Sequence, residues 1–199
     1  MRCKSIEDEK KHLSKNPIMK FVLKKFKKDI VETASMAFPQ KILDMGCGNG
    51  FITKEIAKSF PNTKITAVDI EKEKVDYAKR YNKSANVKYV QGNLFYLPFK
   101  KGSFDLVVCN EVLEHLTDYK KAIGVLAGLS SRYILVSVPN EPAFRIVTFM
   151  RGRHLRNLGN MPGHVNNWGK SRFVSLLKPY GRIIKTKMST VWTIILLEK

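Results

Sequence analysis

Between Pro17 and Ala37 the apolar residues Ile18, Phe21, Val22, Phe26, Ile30, Val31 and Ala34 recur three or four positions apart, with Lys20, Lys24, Lys25, Lys27 and Lys28 between them. That period predicts an amphipathic helix ahead of the core. Its lysine face suits solvent first, and an RNA or lipid surface second. After Pro39 the pattern changes. The apolar runs "KILDMG", "KITAVDI", "VKYVQGN" and "FDLVVCNEV" alternate with helical patterns at 51–60 and 71–83. A helix near 118–128 then leads to "YILVSVP", and another at about 170–178 precedes "RIIKTKM" and "TVWTIILLE". Continuous β-branched runs suit parallel strands covered on both faces, so the alternation predicts a doubly wound α/β sheet. The two C-terminal runs are close enough to pair antiparallel at its edge. Over 140–169 the rhythm breaks at Pro142, Gly152, Gly159, Pro162, Gly163 and Gly169, predicting a long, partly helical excursion. Segments of that length in a compact domain commonly carry function.

Composition narrows the picture. A chain of 199 residues predicts one domain with a sizeable core. No apolar run approaches the roughly 20 residues that cross a bilayer, so no membrane span is expected. The opening "MRCKSIEDEKKHLSK" has no apolar stretch of the secretory kind, which makes the cytoplasm the default location. Cys3, Cys47 and Cys109 show no CxxC spacing, arguing against disulfides and a zinc cluster. Lys plus Arg number 36 against 17 Asp plus Glu, a formal charge of +19 that would attract nucleic acid or another polyanion. Lysine is spread over the whole chain, however, and a solvated surface produces the same count.

The candidate chemistry starts at "KILDMGCGNGFITKEIAKSF", residues 41 to 60, which places Gly46, Gly48 and Gly50 between the first strand and the helix after it. A glycine turn there lets backbone approach a ligand closely and aims helix N–H groups at it. Phe51 follows the turn where a dinucleotide fingerprint needs a spacing of GxGxxG or GxGxxA, so NAD is the poorer candidate, and the phosphate loop GxxxxGK[ST] is absent. What stands is Asp44-Met45-Gly46-Cys47-Gly48-Asn49-Gly50, with Asp69 at the end of the next strand.

An acidic residue followed by GxGxG resembles motif I of the class I S-adenosylmethionine-dependent methyltransferases. A sulfonium and an α-amino group gain from carboxylates near the turn, where a pyrophosphate would be repelled. Asp69 falls where that family places the carboxylate accepting from both ribose hydroxyls. The likeness continues in order across roughly 40 to 139. "QGNLFYLPFKKGSFDLVVCNEVLEHL" looks like the family's central region, with Asn93 where Asp is commoner, facing the adenine amine. The resemblance implies cofactor contacts from Asp44, Gly46, Cys47, Gly48, Gly50 and Asp69. It adds Ile70 flanking the adenine, Leu94 beside it and Asn110 at the methionine end, while plain core positions are the other reading of Ile70 and Leu94. It also implies a Rossmann-like sheet of seven strands in order 3-2-1-4-5-7-6, the last antiparallel. The domain then divides into a helical extension (1–39), a cofactor-binding core (40–139), an acceptor-side insertion (140–169) and a helix with a C-terminal hairpin (170–199). "YILVSVPNEP" and "LGNMPGHVNNW" are similar to a branch of small methyltransferases related to quinone-biosynthesis enzymes, implying a small-molecule methyl acceptor.

Methyl transfer is an in-line displacement at a carbon that already carries a good leaving group, so it needs alignment first, and a base only where the acceptor must lose a proton. Glu111, Glu114 and His115 cluster after the fourth strand, at spacings that bring them together if the turn is helical, and His164 comes from the irregular segment. Glu111, His115 and His164 are thus candidate catalytic groups, as bases, acceptor contacts or mere packing. A local likeness to small-RNA 3′-terminal ribose 2′-O-methyltransferases, in ExxEH and a later His, implies instead a divalent metal and an RNA acceptor. "EVLEHL" is widespread in the superfamily without metal, so no resident metal is expected. Arg145, Arg151, Arg153 and Arg156 suit an anionic acceptor or a solvated face. A non-catalytic scaffold is a third class of reading, and the intact Gly46, Gly48, Gly50 and Asp69 argue against it.

Overall fold

A computed structural model describes residues 16–150, 161 and 163–199. Asn16 caps the first helix, α1 (Pro17–Ser35), through its side chain to the N–H groups of Ile18 and Met19. The alternation then runs β1 (Lys41–Met45), α2 (Phe51–Ser59), β2 (Lys64–Asp69), α3 (Lys72–Tyr81), β3 (Val87–Gln91), β4 (Phe104–Asn110), α4 (Tyr119–Leu129) and β5 (Ser130–Pro139). It closes with α5 (Ala143–Met150), α6 (Lys170–Leu177), β6 (Arg182–Ser189) and β7 (Trp192–Glu198). The seven strands form one sheet in order β3-β2-β1-β4-β5-β7-β6, with β7 antiparallel to both neighbours. Architecture and strand order are those expected.

The continuous apolar strands bury both faces because successive side chains point opposite ways. Ile42, Leu106, Leu135 and Ile194 face one core, with Leu23, Phe26 and Ile30 of α1 and Ile56 of α2. Their neighbours Leu43, Val107, Ile134 and Ile195 face the other, with Ile123 and Leu126 of α4 and Phe173 of α6. The N-terminal helix is therefore part of the core rather than an appendage. An ion-pair cluster adds to its attachment: Lys187 of β6 reaches Asp29 and Glu32, each at 2.7 Å, and Lys25 reaches Asp29 at 2.6 Å. Burial alone would raise the Asp29 carboxyl, but Lys187 and Lys25 outweigh it and hold the group below its ordinary range. Among the described residues no helix is long and apolar enough to cross a membrane.

The two described ends of the excursion are joined. Asn140, just after β5, bridges to Trp168, and its side chain accepts from the Lys170 N–H at 3.0 Å. Arg151, Arg153 and Arg156, three of the four arginines that suit an anionic acceptor or a solvated face, lie outside the described residues.

Candidate functional site

The glycine turn occupies the carboxyl end of β1 with Gly46, Gly48 and Gly50 at φ of 76°, 53° and 78°. An alanine Cβ at Gly46 would stand 2.2 Å from Val112 Cγ2, so this position refuses a side chain on both conformation and space. The Gly46 and Cys47 N–H groups donate to the Val68 carbonyl at 2.7 and 3.0 Å, binding the turn to β2. Gly50 begins α2 with no side-chain cap on its N–H groups.

Asp69 closes the turn from the neighbouring strand. One carboxylate oxygen accepts from the Gly48 N–H at 2.8 Å, and the other from the Glu71 N–H at 2.9 Å. Each oxygen retains a second lone pair for a ligand hydroxyl. Asp44 behaves differently. It is buried and accepts from the Thr53 hydroxyl at 2.6 Å, which ties β1 to α2. Burial, with the nearby Asp69 adding to it, pushes its carboxyl up to about 6. Asp44 therefore acts as a brace for the turn. Cys47 is half-buried, and burial raises its thiol well above the ordinary range, so it is a packing group.

The remaining cofactor-side positions divide. Ile70 is 58% exposed, which removes the core alternative for it. Leu94 is 5% exposed and packs in the core. Asn93 uses its side-chain oxygen to accept from the Phe95 N–H at 3.0 Å, capping the short turn Leu94–Tyr96. Asn110 sits at the carboxyl end of β4, its oxygen accepting from the Ser137 hydroxyl at 2.9 Å. Its amide nitrogen is buried with no protein partner, a donor held in place for something else.

Beyond β4 the turn is helical only from Leu113, after Glu111. Glu111 adopts φ 54°, and a 3₁₀ turn follows at Leu113–His115. The Glu111 carboxylate receives a hydrogen bond from the Trp192 indole N–H, while Trp192 stacks on Phe26 of α1 with ring centroids 4.5 Å apart. Glu111 is thus spoken for by β7, which weakens its candidacy as a proton acceptor. Glu114, His115 and His164 do meet: one donor atom from each lies within 4.8 Å of the other two. The His115 Nδ1–H donates to the Gly163 carbonyl at 2.9 Å, since a carbonyl can only accept. The two imidazoles stand edge to face at 4.9 Å, and His164 also stacks on Phe144.

Backbone contacts hold the 163–168 strap in place. The Glu114 carbonyl accepts from the Val165 and Asn166 N–H groups at 2.9 and 3.1 Å, and the Asn166 amide donates to the Leu113 and Leu116 carbonyls at 3.3 and 2.7 Å. Glu141 lies beside this rim, its N–H donating to Trp168 and one carboxylate oxygen accepting from the Arg145 N–H at 3.3 Å. Its other oxygen is buried without a partner, and burial raises the carboxyl. Sequence reasoning missed Trp192, Glu141 and Asn166. Trp192 lies 81 residues from the Glu111 it holds, and no local spacing signals such a pair.

Comparison with known proteins supplies the context. A family model described as a methyltransferase domain matches residues 42–129. The chain is 39% identical over 82 residues to the malonyl-acyl carrier protein O-methyltransferase of Halalkalibacterium halodurans, covering 39% of this chain and 30% of that one. It is 27% identical over 157 residues to the ubiquinone biosynthesis O-methyltransferase of Erwinia tasmaniensis, covering 70% and 63%. The chain thus spans less than two thirds of these relatives' length. Among solved structures, the magnesium protoporphyrin IX methyltransferase of Synechocystis PCC 6803 with bound SAH aligns over 98% of this chain and 93% of its own, with a TM-score of 0.74 at 18% identity. At that identity the likeness is one of fold.

Proposed function

From the methyltransferase domain carried by residues 42–129, we propose that the protein is an S-adenosylmethionine-dependent methyltransferase acting on the oxygen of a hydroxyl-bearing small molecule. The observation that carries the cofactor is the buried Asn110 amide, unpartnered at the carboxyl end of β4, on the same edge of the sheet as the glycine turn and Asp69. Ligands of open α/β sheets lie at that edge. The residues fit the group: a carboxylate with spare lone pairs for ribose hydroxyls, a turn that admits no side chain, an exposed Ile70 for the adenine, and a waiting amide donor. S-Adenosylmethionine supplies a methyl group already attached to a good leaving group. The protein's task is then to orient and desolvate the two reactants.

The acceptor belongs on the rim formed by the Leu113–His115 turn and the 163–168 strap, with Phe144 as an apolar wall beside His164. An O-methyltransferase reading accords with the names of the curated relatives, and the hydroxyl proton must leave as the oxygen–carbon bond forms. His115 and His164 are polar groups at that rim. Calorimetric titration with S-adenosylmethionine, its demethylated product and NAD tests the reading. Micromolar binding of the first two with none of NAD is the expected result, and no binding of either overturns it.

A further inference from the structure

Leu23, Phe26 and Ile30 of α1 are buried, yet Ile18 and Phe21 on the same helix stand 71% and 68% exposed. We propose that these two side chains belong to a docking surface for an anionic lipid bilayer, completed by Ile146 and Val147 of α5 and Val165 of the strap and bordered by the lysines of α1.

The topology brings these residues to one end of the molecule. Trp192 pairs with Pro139, the last residue of β5, and so marks the carboxyl edge of the sheet. Phe26 stacks on Trp192, which sets the middle of α1 at that edge. Because α1 ends at Ser35, shortly before β1 starts at Lys41, the helix runs from the carboxyl edge towards the amino edge. At about 1.5 Å per residue, Phe21 and Ile18 then stand about 8 and 12 Å beyond Phe26, out past the sheet. α5 leaves β5 at the same edge, and Phe144 near its start packs against Trp192 and against the same core as Met19 and Val22 of α1. Ile146 and Val147 on the following turn are exposed, as is Val165.

Charge names the occupant. Residues 17–28 carry five lysines and no acidic residue. Lys24, Lys25 and Lys28 follow Phe21 by three, four and seven positions and share its side of the helix. Lys20 and Lys24 are exposed and make no ion pair among the described residues. Apolar side chains of this kind enter the boundary between headgroups and acyl chains, while ammonium groups on flexible stems meet anionic headgroups. A nucleic acid would use the lysines but has no use for aliphatic side chains such as Ile18 and Ile146. Since the strap carries Val165, the rim proposed for the acceptor borders this surface, and the site opens towards the bilayer. That consequence rests on the methyl-transfer reading above, whereas attachment itself does not.

The test is sedimentation of the full chain with vesicles of phosphatidylglycerol and phosphatidylcholine in equal parts, set against vesicles of phosphatidylcholine alone. Binding to the anionic vesicles only is expected. Ile18→Ser combined with Phe21→Ser should weaken it at least about tenfold without changing the charge. Lys20→Gln combined with Lys24→Gln should weaken it about tenfold at low salt. Phe38 is 85% exposed and lies between α1 and β1, at the amino edge, so Phe38→Ser should leave binding unchanged. All five side chains are exposed, and the variants should keep the circular dichroism of the parent. No binding to anionic vesicles overturns the surface. So does full binding by the Ile18–Phe21 double variant, because charge alone would then account for attachment, or an equal loss in Phe38→Ser. Binding of single-stranded RNA that the lysine variant weakens, without vesicle binding, assigns the lysines to nucleic acid and overturns it too. S-Adenosylmethionine titrated into the same preparations keeps the two readings apart: vesicle binding without cofactor binding defeats the methyltransferase proposal and leaves the docking surface standing.

Discussion

The two halves of the site are built by opposite means. The half proposed to hold the cofactor is a seven-residue turn from Asp44 to Gly50, closed by one carboxylate from the next strand. The half proposed to take the acceptor joins the turn after β4, the start of α5, a strap 50 residues downstream and an indole from β7. In the first, positive φ angles and the end of a strand predetermine the geometry. In the second, hydrogen bonds between distant segments do so. The contrast teaches that the glycine turn is encoded locally, whereas the rim beyond β4 is assembled from distant parts free to vary separately.

Substitutions that break one half and spare the other sharpen this. The largest effect is expected at Gly46→Ala, where a Cβ would meet Val112 Cγ2 in a left-handed conformation. Cofactor affinity should fall at least about a hundredfold, and stability by about 2 kcal/mol or more. Calorimetry and urea unfolding measure both; a variant that binds normally would show that the turn does not shape the ligand site.

Asp69→Ala removes the closure of the turn and the proposed acceptor for ribose hydroxyls. A loss of about 1.5–3 kcal/mol in cofactor binding is expected, on the scale of hydrogen bonds to charged groups. Unchanged affinity by calorimetry contradicts the assignment.

Asp44→Asn tests the brace through pH. The folded protein holds Asp44 at about 6 against an ordinary 3.8, so folding favours its protonated form. Its stabilising contribution is complete below the unfolded value and is lost as pH rises through about 6. Asparagine imitates the neutral form and still accepts from Thr53. The cofactor-free variant should therefore exceed the parent by about 2 kcal/mol at pH 7.5 and match it near pH 4. Urea unfolding at both pH values decides, and a difference independent of pH excludes the explanation.

The smallest effect is expected from Asn166→Ala, which removes two hydrogen bonds from the strap. Stability should fall by about 1–2 kcal/mol, with cofactor affinity unchanged within about twofold. Faster amide exchange confined to 163–168 is the signature. A matching loss of cofactor affinity would mean that the two halves are coupled.

Much of this architecture was legible before any coordinates. Continuous apolar runs such as Leu106–Val107–Val108 can only be buried on both faces, and the strand–helix alternation then leaves few topologies. Glycines at 46, 48 and 50 also announced a turn, because each is unfavourable in an ordinary strand or helix. The sequence grouped Glu111, Glu114 and His115 if the turn after β4 is helical; a 3₁₀ turn forms at Leu113–His115, but Glu111 ahead of it takes a left-handed conformation and its side chain pairs with Trp192. Leu94 and Ile70 had equivalent readings in sequence, and only the packing separated them, at 5% and 58% exposure.

What the sequence determined by itself is therefore everything that depends on period and backbone freedom: the helices, the parallel strands, the antiparallel hairpin and the glycine turn with Asp69 beyond it. Tertiary structure alone decided which polar side chains face one another. It turned Asp44 towards Thr53, Glu111 towards Trp192, and Glu114, His115 and His164 towards a common centre. The physical reason is range. Dihedral preference and hydrophobic period act within a few residues, while a side-chain hydrogen bond acts over about 3 Å of space and is indifferent to the length of chain between its partners.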